Sequence, residues 1–226
     1  MSAADRVALG VPLWPLPLLV AALPVLATHL AWWLSVQGDY IPLCNPYLEG
    51  CTSISRAARH GLGNDLFRMA MLPCATLQAL FWLAAHRWLR RHDPDVGPWV
   101  LWLGVIGAGF LAVYVTFLGT EGAIYQVLRR YGVHMYFAGT FLALMATLRR
   151  LARWPGEPAY RLLLTVALGM LSLGIASVAI DATVADRALK ERLENILEWN
   201  LGLWLTAMFA VFAWRWRREG LRVGLQ

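Results

Sequence analysis

Apolar residues in this chain run in six blocks of about 20 positions, separated by short segments that hold most of the charge. A block of that length, wound as helix, spans the hydrocarbon core of a bilayer. The pattern predicts helices over Leu13–Leu34, Leu66–Trp88, Trp99–Gly119, Val133–Leu151, Leu162–Ala182 and Ile196–Trp214. Pro15 and Pro17 suit a helix start, whereas Pro24 is expected to kink the first span. Asn64 and Asp65 precede the second span as capping residues, and Gly97-Pro98 opens the third, where proline fits the first turn. Tryptophans at many block ends (Trp14, Trp32, Trp33, Trp88, Trp99, Trp154, Trp199, Trp214, Trp216) match an interfacial belt. The expected fold is an all-α, six-span membrane bundle forming one domain over 1–226, with an extramembrane loop at about 36–63.

Composition agrees: 59% of residues are hydrophobic and 15% charged, against roughly 25% charged in soluble chains. Disorder, a fibrous protein and an ordinary soluble enzyme are excluded. The net charge of +6 does not point to nucleic acid, because the arginines cluster at block ends instead of along one stripe. With the N-terminus inside, Arg6, Arg87, Arg90, Arg91, Arg149, Arg150, Arg153, Arg161, Arg215, Arg217, Arg218 and Arg222 face the cytoplasm. Arg56, Arg59, Arg68, Arg129, Arg130, Arg187, Lys190 and Arg192 then face outward. This bias favours both termini inside, and the Ala/Leu/Arg/Trp-rich composition suggests a bacterial inner membrane. The first block is longer than the apolar core of a signal peptide and counts as a span.

Ionisable groups in a membrane are costly, so their depth is informative. Arg68, His134, Asp181 and Glu198 each fall near the outer end of a different span, and His29 sits in the outer half of the first. Glu121 ends the third span, and His86 alone lies at an inner end. Gly174, Ser177 and Asp181 share one helix face that would suit a polar cleft. The four charged positions are expected to converge there, since pairing in the bundle interior offsets desolvation. Interfacial snorkelling is the alternative.

In the long loop, Cys44 and Cys51 are either a disulfide, if that side is oxidising, or two reduced thiols. Cys74 reads as a small packing residue. Ser53 and Ser55 near His60 lack any GxSxG context and read as capping or headgroup-contacting hydroxyls. No CxxC pair or multi-histidine set points to zinc, two lone histidines are weak support for haem, and no cofactor is expected. Gly104, Gly107 and Gly109 read as helix packing.

Thr52-Ser-Ile-Ser55 ahead of Leu66-Phe67-Arg68, Tyr131-Gly-Val-His134 opening the fourth span, and Ile196-Leu-Glu198-Trp199 opening the sixth form a recognisable order. In this the chain resembles the FRAG/DRAM/SFK family of six-span membrane proteins, within it the GPI-anchor lipid-remodelling (PGAP) group. The Pro-Pro-Glu-Ser segment of the DRAM branch is absent, and the composition is bacterial in character, so the GPI substrate does not carry over. The resemblance implies six helices, an outward-facing site at lipid level and a role in lipid or lipid-anchor processing.

The leading expectation is a lipid-handling protein acting on a membrane lipid or lipidated substrate by acyl transfer or ester hydrolysis. His134 would be general acid/base, oriented by Asp181 or Glu198. Arg68 would clamp a phosphate or carboxylate, with Ser53, Ser55, Arg56 and Ser177 contacting substrate. The alternative is a non-catalytic lipid sensor or scaffold. A transporter is disfavoured, for the spans show neither repeated halves nor a polar line across the membrane. Single cysteines placed at positions 95 and 188 test the topology: position 95 should react only with a reagent that enters the cytoplasm, and labelling from outside reverses the orientation.

Overall fold

The computed structural model of the chain describes residues 10–224, so Arg6 lies outside the described residues. Its elements are β1 (Val11–Pro12), α1 (Pro15–Gln37), α2 (Ile54–Ala57), α3 (Gly61–His92), α4 (Trp99–Thr116), α5 (Ala123–Leu151), α6 (Pro158–Thr183), α7 (Arg187–Glu219) and β2 (Arg222–Val223). All but α2 of these helices are long and apolar enough to cross a membrane, and the protein is an integral membrane protein with an all-α, six-helix bundle. The spans alternate direction, giving a loop face (residues 38–60, 117–122 and 184–186) and a terminal face.

Three spans begin well before their apolar blocks. α3 starts at Gly61, α5 at Ala123 and α7 at Arg187. At 1.5 Å per residue, α3 and α7 run to about 50 Å, beyond the roughly 30 Å hydrocarbon core. Hydropathy registers only the part of a helix that lipid surrounds; the polar turns outside it depend on local capping and packing. Asp186 caps α7 by accepting from the Ala188 N–H at 2.9 Å, an aligned short acceptor of the kind favoured there. Asn64 is not a cap, contrary to the sequence expectation. It is buried inside α3, where its Nδ2 donates to the Ala58 and Leu118 carbonyls at 2.8 and 3.2 Å. α1 runs on through Pro24, and Thr28 Oγ1 donates to the Pro24 carbonyl at 2.7 Å.

The spans close a ring in the order α1, α3, α4, α5, α6, α7, with α7 returning to α1. Its centre is aromatic: Phe81 on α3 meets Trp82, Phe209, Phe212 and Trp216 at centroid distances of 4.9, 5.0, 5.0 and 5.4 Å. Edge-to-face pairs of this kind add to the area that they bury. Gly104 leaves the space that the Trp82 ring fills. α4 and α5 cross closely at Gly107 and Gly139, where a Cβ on Gly139 would lie 2.9 Å from the Leu103 carbonyl oxygen and 3.0 Å from Gly107 Cα. Small residues let helices approach in lipid, where packing replaces the hydrophobic drive. Gln78 donates to Thr140 Oγ1 at 3.1 Å beside this crossing.

The terminal face is tightly clasped. Arg215 on α7 forms a two-pronged pair with Glu157 at 2.7 and 3.0 Å and reaches Glu219 at 2.7 Å. Trp88 Nε1 donates to Glu219 at 2.9 Å, and β1 pairs antiparallel with β2. At the opposite end the ring is open. The buried residues of α6 (Ala159, Leu163, Val166, Ala167 and Met170) all lie in its first half, and its second half stands exposed. α5 and α6, although consecutive, barely touch.

Gly139→Val should lower thermal stability, since backbone and not a flexible side chain meets the new Cβ. Overpacking of this kind costs about 1–3 kcal/mol, readable as a lower unfolding midpoint in detergent. Gly109→Val, at a position with open space around it, should leave the midpoint unchanged.

Candidate functional site

A loop that returns over a membrane bundle carries backbone carbonyls that need donors, because unpaired buried polar groups are costly. Here α7 supplies them from one face. Arg192 Nε donates to the Glu49 carbonyl at 2.6 Å, Asn195 Nδ2 to Gly50 at 2.9 Å and Trp199 Nε1 to Thr52 at 2.9 Å. Asn200 Nδ2 donates to Tyr47 at 3.2 Å. The positions 192, 195 and 199 follow the three- and four-residue spacing of a helix face. Gly50 adopts φ +63°, and its α-carbon rests so close to the Arg192 carbonyl that no side chain fits. Cys44 and Cys51 are joined by a disulfide, with α-carbons 6.4 Å apart. The loop is thereby held as a lid on α7.

Beneath the lid lies a cavity of about 80 Å³, walled by α1, α3, α4, α5 and α7. Most of its lining is apolar, and its polar groups come from Thr28, His29, Tyr47, Tyr114, Tyr136, Glu198 and Thr206. The Val25 carbonyl, 2.7 Å from His29 Nδ1, can only accept, so that nitrogen carries the proton. Nε2 then accepts from the Tyr47 hydroxyl at 3.1 Å. Burial pushes the Tyr47 phenol above its ordinary pKa, which keeps this donor protonated. Trp199 stands edge-on to both rings, at 5.6 Å from His29 and 5.3 Å from Tyr47.

Glu198 contributes the cavity's only carboxylate among the described residues. It accepts the Ser55 N–H at 3.3 Å and has Arg56 and His134 in electrostatic range. Part of its surface is open to the cavity. Arg59, also on the loop, lies within electrostatic range of Arg129, Tyr114 and Glu198. Its partial desolvation and, next, the neighbouring Arg129 hold its pKa below the usual guanidinium value.

The four charges expected to converge do not. Glu198 lines the cavity, and His134 lies one position from lining Val133, exposed, with Nδ1 bonded to the Arg130 carbonyl. Asp181 is elsewhere: it pairs with Lys190 in the open, at the α6–α7 turn. The reason is that α6 diverges from the bundle in its second half, so Ser177 and Asp181 stay exposed and Gly174 lines an apolar groove beside α5, not the cavity. Arg68 follows the cavity residue Phe67 but is half-exposed outside the cavity, without a hydrogen bond or ion pair among the described residues. Arg56 pairs with Glu191. Ser53 caps α2 by accepting the Arg56 N–H at 3.1 Å, and Ser55 Oγ bonds Ser53 Oγ at 3.1 Å. Both hydroxyls are engaged in the lid, and Ile54 between them faces the cavity.

Sequence reasoning passed over His29 and Tyr47 as site residues, and over Arg192, Asn195 and Trp199 as the lid's anchors. A histidine in an otherwise apolar span and donors at helical spacing were the available signals. No group of three or more His, Cys, Asp or Glu among the described residues could hold a metal ion. Compared with known proteins, the chain matches no family model, no curated protein and no solved structure.

Asn195→Ala and Trp199→Phe each leave a loop carbonyl without its donor. Each should cost about 1–3 kcal/mol and speed proteolysis within residues 41–60, while Asn200→Ala, whose Nδ2 also bonds the Ile196 carbonyl within its own helix at 2.9 Å, should do less.

Proposed function

We propose that the protein handles lipid, taking the polar part of a membrane lipid or lipidated substrate into the cavity beneath its loop. The observation that carries this reading is the placing of Glu198 and the His29–Tyr47 pair inside apolar walls, within a membrane-spanning bundle. Intramembrane ionisable groups that face a cavity are costly to maintain and mark binding or transfer sites. We place the loop face outside the cytoplasm, which the arginine bias supports. A disulfide in that loop suits an oxidising compartment such as the bacterial periplasm. The site then works at the outer leaflet of the bacterial inner membrane. The resemblance to lipid-remodelling six-span proteins accords with this reading.

As an acyl-transfer or ester-hydrolysis catalyst, the protein would use Glu198 as general base, with His134 in electrostatic reach at the cavity margin. The second reading, a non-catalytic lipid sensor or scaffold, is favoured by the engagement of Ser53 and Ser55 in the lid, which leaves no serine nucleophile lining the cavity among the described residues.

Purified protein incubated with total bacterial lipid, followed by mass spectrometry of bound and free lipid, tests both. Bound lipid should be retained, and Glu198→Ala should lower retention about tenfold, equivalent to losing one charge-assisted hydrogen bond. New lipid species that depend on Glu198 identify a catalyst, and retention without new species identifies a sensor. Failure to retain lipid above a detergent control overturns the proposal.

A further inference from the structure

Resting on that reading, the cavity also specifies which headgroup it takes. Seven aromatic or heteroaromatic rings line it, those of His29, Tyr47, Phe67, Tyr114, Tyr136, Phe137 and Trp199, together with one carboxylate, Glu198. Ring faces attract cations through their quadrupoles, Trp and Tyr most of all. A carboxylate among them adds acceptor positions: Glu198 takes the backbone N–H groups of Ser55 and Ile54 from the lid and lines the cavity. His29 is tied by Nδ1 to the Val25 carbonyl and by Nε2 to the Tyr47 hydroxyl, so both of its ring nitrogens are engaged in the cavity wall. A second charge lies nearby, on the exposed part of the loop. Arg59 sits beside Arg129, near Tyr114 and Glu198, and has no ion-pair partner among the described residues. A cation-binding pocket next to two guanidiniums matches a zwitterion.

The way in is lateral. An apolar groove of about 550 Å³ runs between α5 and the exposed half of α6, lined by Phe141, Leu171, Gly174, Ile175 and Val178 among others. Phe137 lines both this groove and the cavity. The cavity, at about 80 Å³, holds a small polar group but not a lipid, so the chains of a bound lipid must lie outside it. We infer that the site takes a lipid bearing a primary ammonium and a phosphate, of the phosphoethanolamine type. The ammonium donates to Glu198 within the ring of aromatics, the phosphate lies toward Arg59, and an acyl chain leaves past Phe137 into the α5–α6 groove.

The full chain in phosphatidylglycerol nanodiscs, titrated with phosphatidylethanolamine or phosphatidylcholine and read by native mass spectrometry, tests the assignment. Phosphatidylethanolamine should be retained at least about tenfold over phosphatidylglycerol, and above phosphatidylcholine, whose quaternary nitrogen has no proton to donate. Glu198→Gln should bring the ethanolamine-to-glycerol ratio close to one, and Glu198→Asp should keep most of it. Phe137→Trp should lower the retention of every lipid without changing the ratio. Soluble glycerophosphoethanolamine should compete only weakly, because it has no chain for the groove; competition equal to the intact lipid's removes the groove from the site. A ratio near one in the unaltered protein, or one that Glu198→Gln leaves unchanged, overturns the headgroup assignment. Lipid retained without headgroup preference leaves the lipid-handling reading standing and this one fallen; no lipid retained removes both. Should Glu198→Gln fail to fold, the ratio measured on the unaltered protein decides.

Discussion

The structure depends on one requirement: the carbonyls of the loop before α2 must find donors, those of Gly50 and Thr52 in places that water does not reach. Four side chains of α7, at positions 192, 195, 199 and 200, meet it. An N–H···O bond contributes modestly when made, but its absence in a buried place costs more than its presence gains. The register of the loop on α7 is therefore set within a residue. Glu198 lies on the same stretch of helix and bonds back to the loop through Ser55, so the contacts that close the lid also aim the carboxylate beneath it.

The two ends of the bundle are built differently, and the difference has consequences. On the terminal face, Arg215, Glu157, Glu219 and Trp88 bind α3, α6 and α7 into one charged and aromatic knot, and the paired β1 and β2 segments bring the two ends of the described chain together. Buried pairs of this kind persist when every partner is satisfied. On the loop face no comparable knot among the described residues holds α6. Its first half packs and its second half does not, which leaves a seam beside α5. A bundle fixed at one end and parted at the other offers access from the side without a loss of core.

The polar groups of the cavity are held by local rules. His29 Nδ1 bonds the carbonyl four residues earlier on its own helix, a partner that no movement of neighbouring helices removes. That fixes the tautomer and turns Nε2 toward the loop. Tyr47 meets it there, with its own backbone carbonyl tied to Asn200. The pair thus joins α1, the lid and α7. The aromatic rings that line the cavity have the same dual character, burying large apolar faces while presenting π surface and hydroxyls to whatever enters.

Sequence alone determined the six spans and their alternation, because twenty apolar residues in a row have no other stable setting than lipid or a core. It also brought Glu198 forward as a site residue, since an ionisable residue in such a run is conspicuous, and it noted the depth of His29 without assigning it to the site. It could not determine where α3, α5 and α7 begin, for their first turns are polar and held by caps and neighbours. Nor could it determine which helix faces turn inward. Gly174, Ser177 and Asp181 share a stripe, yet whether that stripe meets the bundle depends on the tilt of α6 as a whole, set by Ala159, Leu163 and Met170 at its far end. Helical periodicity states which residues lie together on one helix; only the packing of helix against helix states what that face sees. The disulfide illustrates the same boundary. Two cysteines seven residues apart allow a bridge, but the 6.4 Å approach of their α-carbons is a property of the folded loop, which spacing in sequence does not state.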